Sequence, residues 1–406
     1  MDKTLKVPLA ALCTVPFIMV LGNSMLIPVL PRIREVLHLT QLQTGLLITA
    51  FSVPAGIAIS FVGILSDRLG RRTVIGPSLL IYGLAGALAG LAAVTLRRPY
   101  AALLGARVLQ GLGAAGTAPV AMALVGDLFQ SKERSTALGF IEAANGLGKV
   151  LSPVLGAGAA LVAWHVPFFV YAVLAVPSAL AVWLLCPKRE NPPPPPPFQQ
   201  YFTDLAQTFR QKPGSLIACY LAGALILFTL FGMLFYFSDR LESVYHYRGL
   251  AKGLLIALPV AAMTVTSFST GAFLQRKVHL LKGAVSLGLA LVTIALALLP
   301  FFTDQLLGTA ALATLLGVGN GFGLPALNTM VTSAAAGQTR GLVTSLYGAV
   351  RFIGVALGPP AVSWLMKGGA RLVYWPVAAA AALSTAAVLL FLDDRQVRPP
   401  SSPAKR

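Results

Sequence analysis

The sequence is poor in charge, in histidine and in cysteine. Only 11% of its 406 residues are charged, whereas a soluble domain has roughly 25%, and this difference excludes a water-soluble globule. The four histidines lie singly near expected helix ends. The three cysteines, Cys13, Cys186 and Cys219, form no CxxC pair. The sequence therefore predicts neither a metal site nor a disulfide framework.

Motifs of other function classes are also missing. The chain has no GxxxxGK[ST] phosphate-binding loop, which argues against pumping driven directly by ATP. It has no recognisable pairing of a nucleophile with a base, so we expect no enzyme activity and no cofactor. The net charge of +18 would suggest nucleic acid in a soluble protein. In a membrane protein, however, Lys and Arg set the orientation, and we expect no nucleic-acid partner.

Long apolar runs are what the sequence has in abundance. Hydrophobic residues make up 56% of the chain, and a helix needs about 20 apolar residues to cross a bilayer. The runs predict an all-α polytopic membrane protein with 12 spanning helices, near 7–30, 43–65, 73–96, 100–125, 135–160, 165–186, 214–238, 250–274, 281–302, 305–330, 341–366 and 371–392.

The loops divide and orient the chain. We predict an N-terminal six-helix bundle, a cytoplasmic proline-rich linker, a C-terminal six-helix bundle and a cytoplasmic tail, at 1–186, 187–213, 214–392 and 393–406. In the linker, apolar residues after six prolines predict either an amphipathic helix on the membrane or a disordered tether. Nineteen of the 31 Lys and Arg residues fall on the side of the N-terminus and nine on the other side. This asymmetry places both termini in the cytoplasm.

The two halves of the chain resemble each other. An offset of 206 residues aligns Gly113 with Gly319 and Pro153 with Pro359. Because each half has an even number of crossings, the two copies run the same way through the membrane. Parallel six-helix repeats are typical of secondary transporters, which hold substrate near the midplane while access alternates between the two sides.

Three motifs give a family resemblance. The loop from Gly63 to Arg72 reads GILSDRLGRR, and it resembles the loop motif of the major facilitator superfamily. Helix 4 carries Arg107, Gln110 and Gly111, similar to the RxxQG element of proton-coupled members. In helix 5, the run from Gly148 resembles the GxxxGPxxGG motif of twelve-helix drug:proton antiporters, with Ser152 and Ala157 in place of two glycines. The implied fold is two pseudo-symmetric six-helix bundles.

The resemblance also implies roles for individual residues. Asp67, Arg71 and Asp127 would latch an inner gate, although basic loop residues can also serve only to set topology. The gating-loop positions are Gly63, Asp67, Arg68, Gly70, Arg71 and Arg72. Small residues of helix 5 would form either a pliable contact with helix 11 or ordinary tight packing. These positions are Gly148, Ser152, Pro153 and Gly156.

Four ionisable residues are expected inside the membrane: Arg107, Glu142, Lys149 and Arg351. Such groups normally face a cavity or a partner. Glu142 and Lys149 lie on one helical face with Asn145 between them, and Arg351 takes the place of Asn145 in the second repeat. We hypothesise that Glu142 carries a proton and releases it when Lys149 or Arg351 approaches. A permanent structural ion pair is the alternative.

The expected function is proton-coupled export of lipophilic or amphipathic small molecules by a monomer in a bacterial plasma membrane. Uptake or facilitated transport of a metabolite or organic anion is the first alternative. A non-transporting receptor or a membrane enzyme is the second. Candidate substrate contacts are polar or aromatic residues of the spanning helices: Asn23, Gln110, Phe231, Phe235, Asn320, Asn328 and Tyr347.

Overall fold

A computed structural model of the protein describes residues 3–129, 131–187, 198–335, 339–393 and 397. Within these ranges the chain folds into α-helices joined by short turns, and no β-strand occurs. Of the helical segments, 12 are long and apolar enough to cross a membrane. The predicted all-α fold class and the predicted number of spans are confirmed.

The first half of the chain supplies six of the spans. The fourth span runs over Tyr100–Leu128 and is divided into two helices at Gly116 and Thr117. The helices are α1 (Lys3–Ser24), α2 (Leu30–Leu37), α3 (Gln41–Leu69), α4 (Arg71–Thr95), α5 (Tyr100–Ala115), α6 (Ala118–Leu128), α7 (Ser131–Val162) and α8 (Val166–Leu185).

The second half supplies the other six spans and one helix that precedes them. The helices are α9 (Phe198–Gln211), α10 (Pro213–Ser243), α11 (Gly249–Arg276), α12 (Leu281–Leu298), α13 (Leu306–Ser333), α14 (Thr339–Leu365) and α15 (Ala370–Phe391). Short 3-10 turns at Val278–Leu280, Leu299–Phe301 and Met366–Gly368 extend or join them.

Local signals set both ends of α3. At its start, the Thr40 hydroxyl accepts from the Gln43 N–H at 3.2 Å and the Gln43 side chain accepts from the Thr40 N–H at 2.8 Å. This reciprocal capping box satisfies two amide groups that the helix leaves open. At the other end, Gly70 has φ +91°, a conformation that favours glycine. The chain therefore turns within one residue, and α4 begins at Arg71.

The chain divides into two compact units. Unit 1 comprises Met1–Pro195, Leu234–Leu258 and Pro359–Trp364, and unit 2 comprises Pro196–Met233, Pro259–Gly358 and Leu365–Arg406. Pieces of α10, α11 and α14 thus belong to unit 1, because they pack on helices of the first half. A bundle division at the linker stays a prediction.

In unit 1, glycines allow α4 to approach α8 closely. A Cβ atom at Gly86 would lie 2.7 Å from the Tyr171 Cβ, and one at Gly90 would lie 2.7 Å from the ring of Phe169. Small residues at helical spacing are a common way for membrane helices to gain van der Waals contact. The result is a tightly packed helix pair, in which the buried rings of Tyr82 and Tyr171 meet edge-on with centroids 5.6 Å apart.

In unit 2, α12 packs against α13 and α15. A Cβ atom at Gly319 would lie 2.6 Å from the Gly288 carbonyl oxygen. In unit 1 the counterpart Gly113 lies equally close to Tyr82, where a Cβ atom would be 2.6 Å from the backbone nitrogen. Residues 82 and 288 are related by the predicted offset of 206, so equivalent glycines make equivalent helix contacts in the two units.

The segment after the proline run is helical. The six prolines at 192–197 lie outside the described residues, and α9 follows directly after them. The Phe209 ring of α9 packs edge-on against Tyr220, with ring centroids 5.5 Å apart. Of the two forms expected for this segment, a helix is therefore present. Its location on a membrane face stays a prediction.

Candidate functional site

Arg107 of α5 is fully buried in unit 1, and its guanidinium group is held from three sides. Its Nη2 donates to the Asn23 Oδ1 atom of α1 at 2.6 Å, and its Nη1 donates to the Gln110 Oε1 atom at 2.6 Å. Its Nε donates to the Leu47 carbonyl of α3 at 3.1 Å. Three predicted site residues, Arg107, Asn23 and Gln110, therefore lie together.

These three acceptors are all neutral. The Phe51 ring adds a cation–π contact, with its centroid 4.5 Å from the Arg107 Cζ atom. A charge at membrane depth is normally paired or solvated, and here oriented dipoles and a ring face solvate it. The Gln110 Nε2 atom is buried and has no partner among the described residues. The network thus keeps one donor open.

The gating-loop residues also come together. The Arg71 Nε atom bonds Asp127 Oδ2 at 2.7 Å, and its Nη2 bonds Asp67 Oδ1 at 2.9 Å. One arginine thereby ties the end of α3 to the end of α6. Arg72 donates to the carbonyls of Trp183 and Cys186 at the end of α8, where a cation also meets the negative helix end. Gly63 and Arg68 lie in the last two turns of α3.

Replacing Asp67 with asparagine tests whether this cluster restrains movement. The Asp67 and Arg71 side chains are 36% and 23% exposed, and ion pairs near a surface contribute about 0.2–1 kcal/mol. We therefore expect little loss of stability. Labelling of a cysteine placed at Ala121, a buried residue of the same helix as Asp127, should increase by up to about fivefold if the pair holds the ends closed. Maleimide labelling in membranes measures this.

The native Cys186 should add little background to the maleimide labelling of the introduced cysteine. That thiol is buried, and burial raises its pKa to about 11, although the charge of Arg72 acts in the opposite direction. The thiol therefore stays protonated and unreactive at neutral pH. Asp304→Asn, a loop acid at the start of α13, is the control. Equal labelling of the Asp67→Asn variant and the unsubstituted reporter would remove the gating role.

The small residues of α7 face α1. A Cβ atom at Gly148 would lie 2.9 Å from the Phe17 carbonyl oxygen, and one at Gly156 would overlap the Met25 carbonyl oxygen. Ser152 is fully buried, and its hydroxyl donates to the Lys149 carbonyl at 3.2 Å. The sequence predicts a contact of these residues with the eleventh span, which is α14, and that contact stays a prediction. The nearest atoms to Gly148 and Gly156 belong to Phe17 of α1 and to Met25, directly after α1.

Pro153 lies on the same stretch of α7 but meets α11. A Cβ atom at Gly253 of α11 would lie 2.9 Å from the Pro153 carbonyl oxygen and 2.7 Å from the Ala157 Cβ. The start of α11 thus packs on α7 inside unit 1. In unit 2, Gly354 and Gly358 of α14 lie against the α10 backbone, as Gly148 and Gly156 lie against α1.

Glu142 is exposed on α7 and makes no hydrogen bond or ion pair within the described part of the chain. It lies inside the candidate span Thr136–Val162. Asn145, one turn further on, has a buried Oδ1 atom without a partner. Glu142 is therefore an exposed carboxylate within a candidate span, and it has no ionic partner among the described residues. Its proposed proton exchange and its pairing with Lys149 stay predictions.

In unit 2, Arg351 of α14 lies against Asn328 and Tyr347. Its Nη1 donates to the Asn328 Oδ1 atom at 3.1 Å, and its Cζ lies 5.3 Å from the centre of the Tyr347 ring. Asn320 of α13 is fully buried, and both polar atoms of its amide lack a partner among the described residues. Phe231 is half-buried in α10. Of the predicted substrate contacts, Asn328 and Tyr347 thus come together.

Sequence reasoning missed a second polar cluster in unit 1. Asp239 of α10 bonds Arg34 at 2.6 Å and accepts from Gln41 at 3.1 Å. Asp239 was expected in a loop, and Glu142 was expected to be the one carboxylate within a span. However, α10 continues to Ser243, so Asp239 lies in its last turns and is 7% exposed. The sequence offered one signal for this ion pair. Arg34 and Asp239 both lie in segments that were expected on the same side of the membrane, opposite the cytoplasm.

Other residues extend this second cluster. Glu242 bonds Lys252 of α11 at 2.6 Å, and the Lys252 side chain is 2% exposed. Leu30, Pro31, Thr44 and Phe235 line the space beside Asp239. Asp239 contacts the start of α3, whereas Asp67 lies at its end. Unit 1 therefore has one ion-pair cluster at each end of α3.

The fold and these motifs define a membrane transporter with two six-helix repeats. The chain belongs to the Major Facilitator Superfamily, whose family model matches residues 12–335 and 282–406. It is 39% identical over 388 residues to the "Bacillibactin exporter" of Bacillus subtilis (strain 168), covering 95% of this chain and 96% of that protein. It is 27% identical over 353 residues to the "Multidrug efflux protein YfmO" of the same organism, covering 86% and 82%.

Solved structures agree on the fold. A bacterial homolog of the human lysosomal transporter Spinster superimposes with a TM-score of 0.77 at 20% identity, covering 100% of both chains. The protein is therefore a multi-pass transporter of the cell membrane.

Proposed function

We propose that this transporter exports lipophilic or amphipathic small molecules in exchange for protons. The observation that carries the proposal is the 39% identity, over nearly the whole chain, to a protein named as an exporter. The α7 motif supports it, since Gly148 lies against the backbone of α1 and Gly156 against the Met25 carbonyl directly after α1. Under this proposal the protein works as a monomer with both termini in the cytoplasm.

Glu142 would be the proton carrier. A carboxylate inside a span is costly when it is charged and unpaired, and protonation removes that cost. Lys149 lies seven residues further along α7, which is roughly 10.5 Å along the helix axis. A change in the surroundings of Glu142 between two states would change its proton affinity and so couple protonation to access.

The two ion-pair clusters of unit 1 would act as alternating latches. Arg71 holds Asp67 and Asp127 at one end of α3, and Asp239 holds Arg34 and Gln41 at the other end. The ion pairs of Arg71 are partly exposed and therefore individually weak, so that latch can open at little cost. The Asp239 side chain is only 10% exposed, so opening the other latch requires that Asp239 gains water or another partner. Alternating access requires that one end opens while the other stays closed.

Everted membrane vesicles with an acid interior test the exchange. Lipophilic cations, neutral drugs, organic anions and bacillibactin would be added while the pH gradient is followed. We expect at least one compound to dissipate the gradient with wild type, and we expect Glu142→Gln to reduce this response to that of vesicles without the protein. Glu133→Gln, in the first turn of α7, is the control and should respond like wild type.

Two results would contradict the proposal. A full response of Glu142→Gln at matched expression would remove Glu142 as the carrier. Absence of a response to every compound with folded wild-type protein would contradict proton-coupled export. Uptake or facilitated transport of an organic anion is the second candidate. Arg351, a cation that has no acidic partner among the described residues, favours an anionic substrate in either direction of transport.

A further inference from the structure

One face of α14 carries three buried polar atoms that have no hydrogen-bond partner in the part of the chain that the structure describes. They are the Thr344 Oγ1 atom, the Tyr347 hydroxyl and the Arg351 Nε atom. The spacing of three and then four residues places them on the same side of the helix, over roughly 10.5 Å. Each of the three groups can donate a hydrogen bond. The face therefore offers donors to an acceptor that the described protein residues do not supply.

Many threonines in the helices of unit 2 have a partner for their hydroxyl. Six of them donate to the carbonyl four residues earlier, at 2.7–2.9 Å: Thr264, Thr293, Thr314, Thr329, Thr332 and Thr385. Thr344 does not. The hydroxyl of Tyr347 also has no partner among the residues that the structure describes, although Tyr347 is only 2% exposed. Phenylalanine would avoid this penalty, which indicates that the hydroxyl serves a ligand.

The guanidinium group of Arg351 has an open edge. Arg71 uses its Nε and Nη2 atoms on two carboxylates, and Arg107 has a partner on all three of its nitrogens. Among the described residues, Arg351 has one hydrogen-bond partner, Asn328, which it reaches through Nη1. Its Nε–Nη2 edge is the fork that binds a carboxylate with two parallel hydrogen bonds.

The sequence of the spans in unit 2 contains no Asp or Glu that could pair with the Nε–Nη2 edge of Arg351. Between residues 259 and 358 the one acidic residue is Asp304, which precedes α13. Asn328 lies 24 residues after Asp304, or roughly 36 Å along a helix. Arg351 lies 12 residues into α14, which is roughly 18 Å from the helix start and well inside the span. A charge at this depth normally has a counterion.

We propose that Thr344, Tyr347 and Arg351 of α14, with Asn328 of α13, bind the carboxylate of a small organic anion. The Tyr347 ring beneath the guanidinium group and the neighbouring Tyr220 ring, 5.5 Å away, favour an aromatic body next to the carboxylate. As a substrate site, this assignment rests on the proposed export function and names the substrate class as anionic.

Benzoate binding to the purified full-length protein in lipid nanodiscs tests the site. Isothermal titration would compare sodium benzoate with benzamide, a neutral molecule of the same shape. We expect wild type to bind benzoate more tightly than benzamide. In Arg351→Gln, benzoate binding should weaken roughly tenfold to a hundredfold, because two hydrogen bonds to a charged group are lost. Lys367→Gln, an exposed cation just beyond α14, should bind like wild type.

Two further variants separate binding from folding. Tyr347→Phe removes a hydroxyl that has no partner within the described ranges of the chain. The Tm of this variant should therefore equal or exceed that of wild type, while benzoate binding weakens. Arg351→Lys keeps the charge but loses the fork, and it should fold and bind benzoate more weakly. Equal binding of benzoate and benzamide, no benzoate binding by wild type, or full binding by both Arg351 variants would overturn the proposal.

The benzoate titration and the vesicle assay can fail independently of each other. Benzoate binding that depends on Arg351 in a protein that never dissipates a pH gradient would leave the anion site standing and remove proton exchange. Proton exchange driven by lipophilic cations, together with no benzoate binding, would support proton exchange and remove the anion site.

Discussion

Arg107→Leu is expected to abolish transport and to lower the thermal stability of the protein. The change removes the donor for Asn23 Oδ1, Gln110 Oε1 and the Leu47 carbonyl at once. Each buried acceptor left unsatisfied costs about 1–3 kcal/mol, so a loss of about 3 kcal/mol or more is expected. The Phe51 ring also loses the cation that lies over it.

Thermal unfolding of the purified protein and the vesicle assay measure the two effects. Arg107→Lys keeps a charge but replaces the planar fork with a single ammonium group, and it should fall between wild type and Arg107→Leu in stability. Arg98→Leu, an exposed cation in the preceding loop, should leave stability and transport unchanged. An Arg107→Leu protein with the Tm and transport of wild type would show that the network is dispensable.

Gly156→Ala is the second change with a large expected effect. A Cβ atom at this position would overlap the Met25 carbonyl oxygen, which belongs to backbone and cannot rotate away. Overpacking of this kind costs about 1–3 kcal/mol, and it would push α7 away from α1. We expect a lower Tm, and we expect transport to fall further than stability if this contact must re-form in each cycle.

Gly139→Ala is the matched control on the same helix. Nothing lies within 4 Å of a Cβ atom at Gly139, and alanine is a better helix former than glycine by about 1 kcal/mol. Gly156→Ala should therefore lower the Tm, whereas Gly139→Ala should raise the Tm or leave it unchanged. If Gly156→Ala is as stable and active as Gly139→Ala, the contact between α7 and α1 has no role.

The helices and the loop motif could be predicted because their causes are local. A span needs only an apolar run of sufficient length, and α3 ends at Gly70 because glycine accepts the turn that follows. The Asp67, Arg71 and Asp127 cluster was also predictable, since the residues lie at the ends of successive spans. Likewise, the equivalent glycines Gly113 and Gly319 follow from the internal repeat.

The partners of buried side chains could not be predicted in the same way. Arg107 and Asn23 are 84 positions apart, and Gln41 and Asp239 are 198 positions apart. Whether two such residues meet depends on how each helix is rotated about its axis. Because the spans are apolar on all sides, their hydrophobic pattern does not determine that rotation.

The sequence by itself determined the membrane character of the chain, its 12 spans, its internal repeat and the composition of the gating loop, because these depend on composition and on residues close in sequence. Only the tertiary structure decided that Gly156 faces α1, that neutral groups solvate Arg107 and that Arg351 keeps an open edge. Those outcomes depend on contacts between helices, where one side chain's partners are set by the positions of several others.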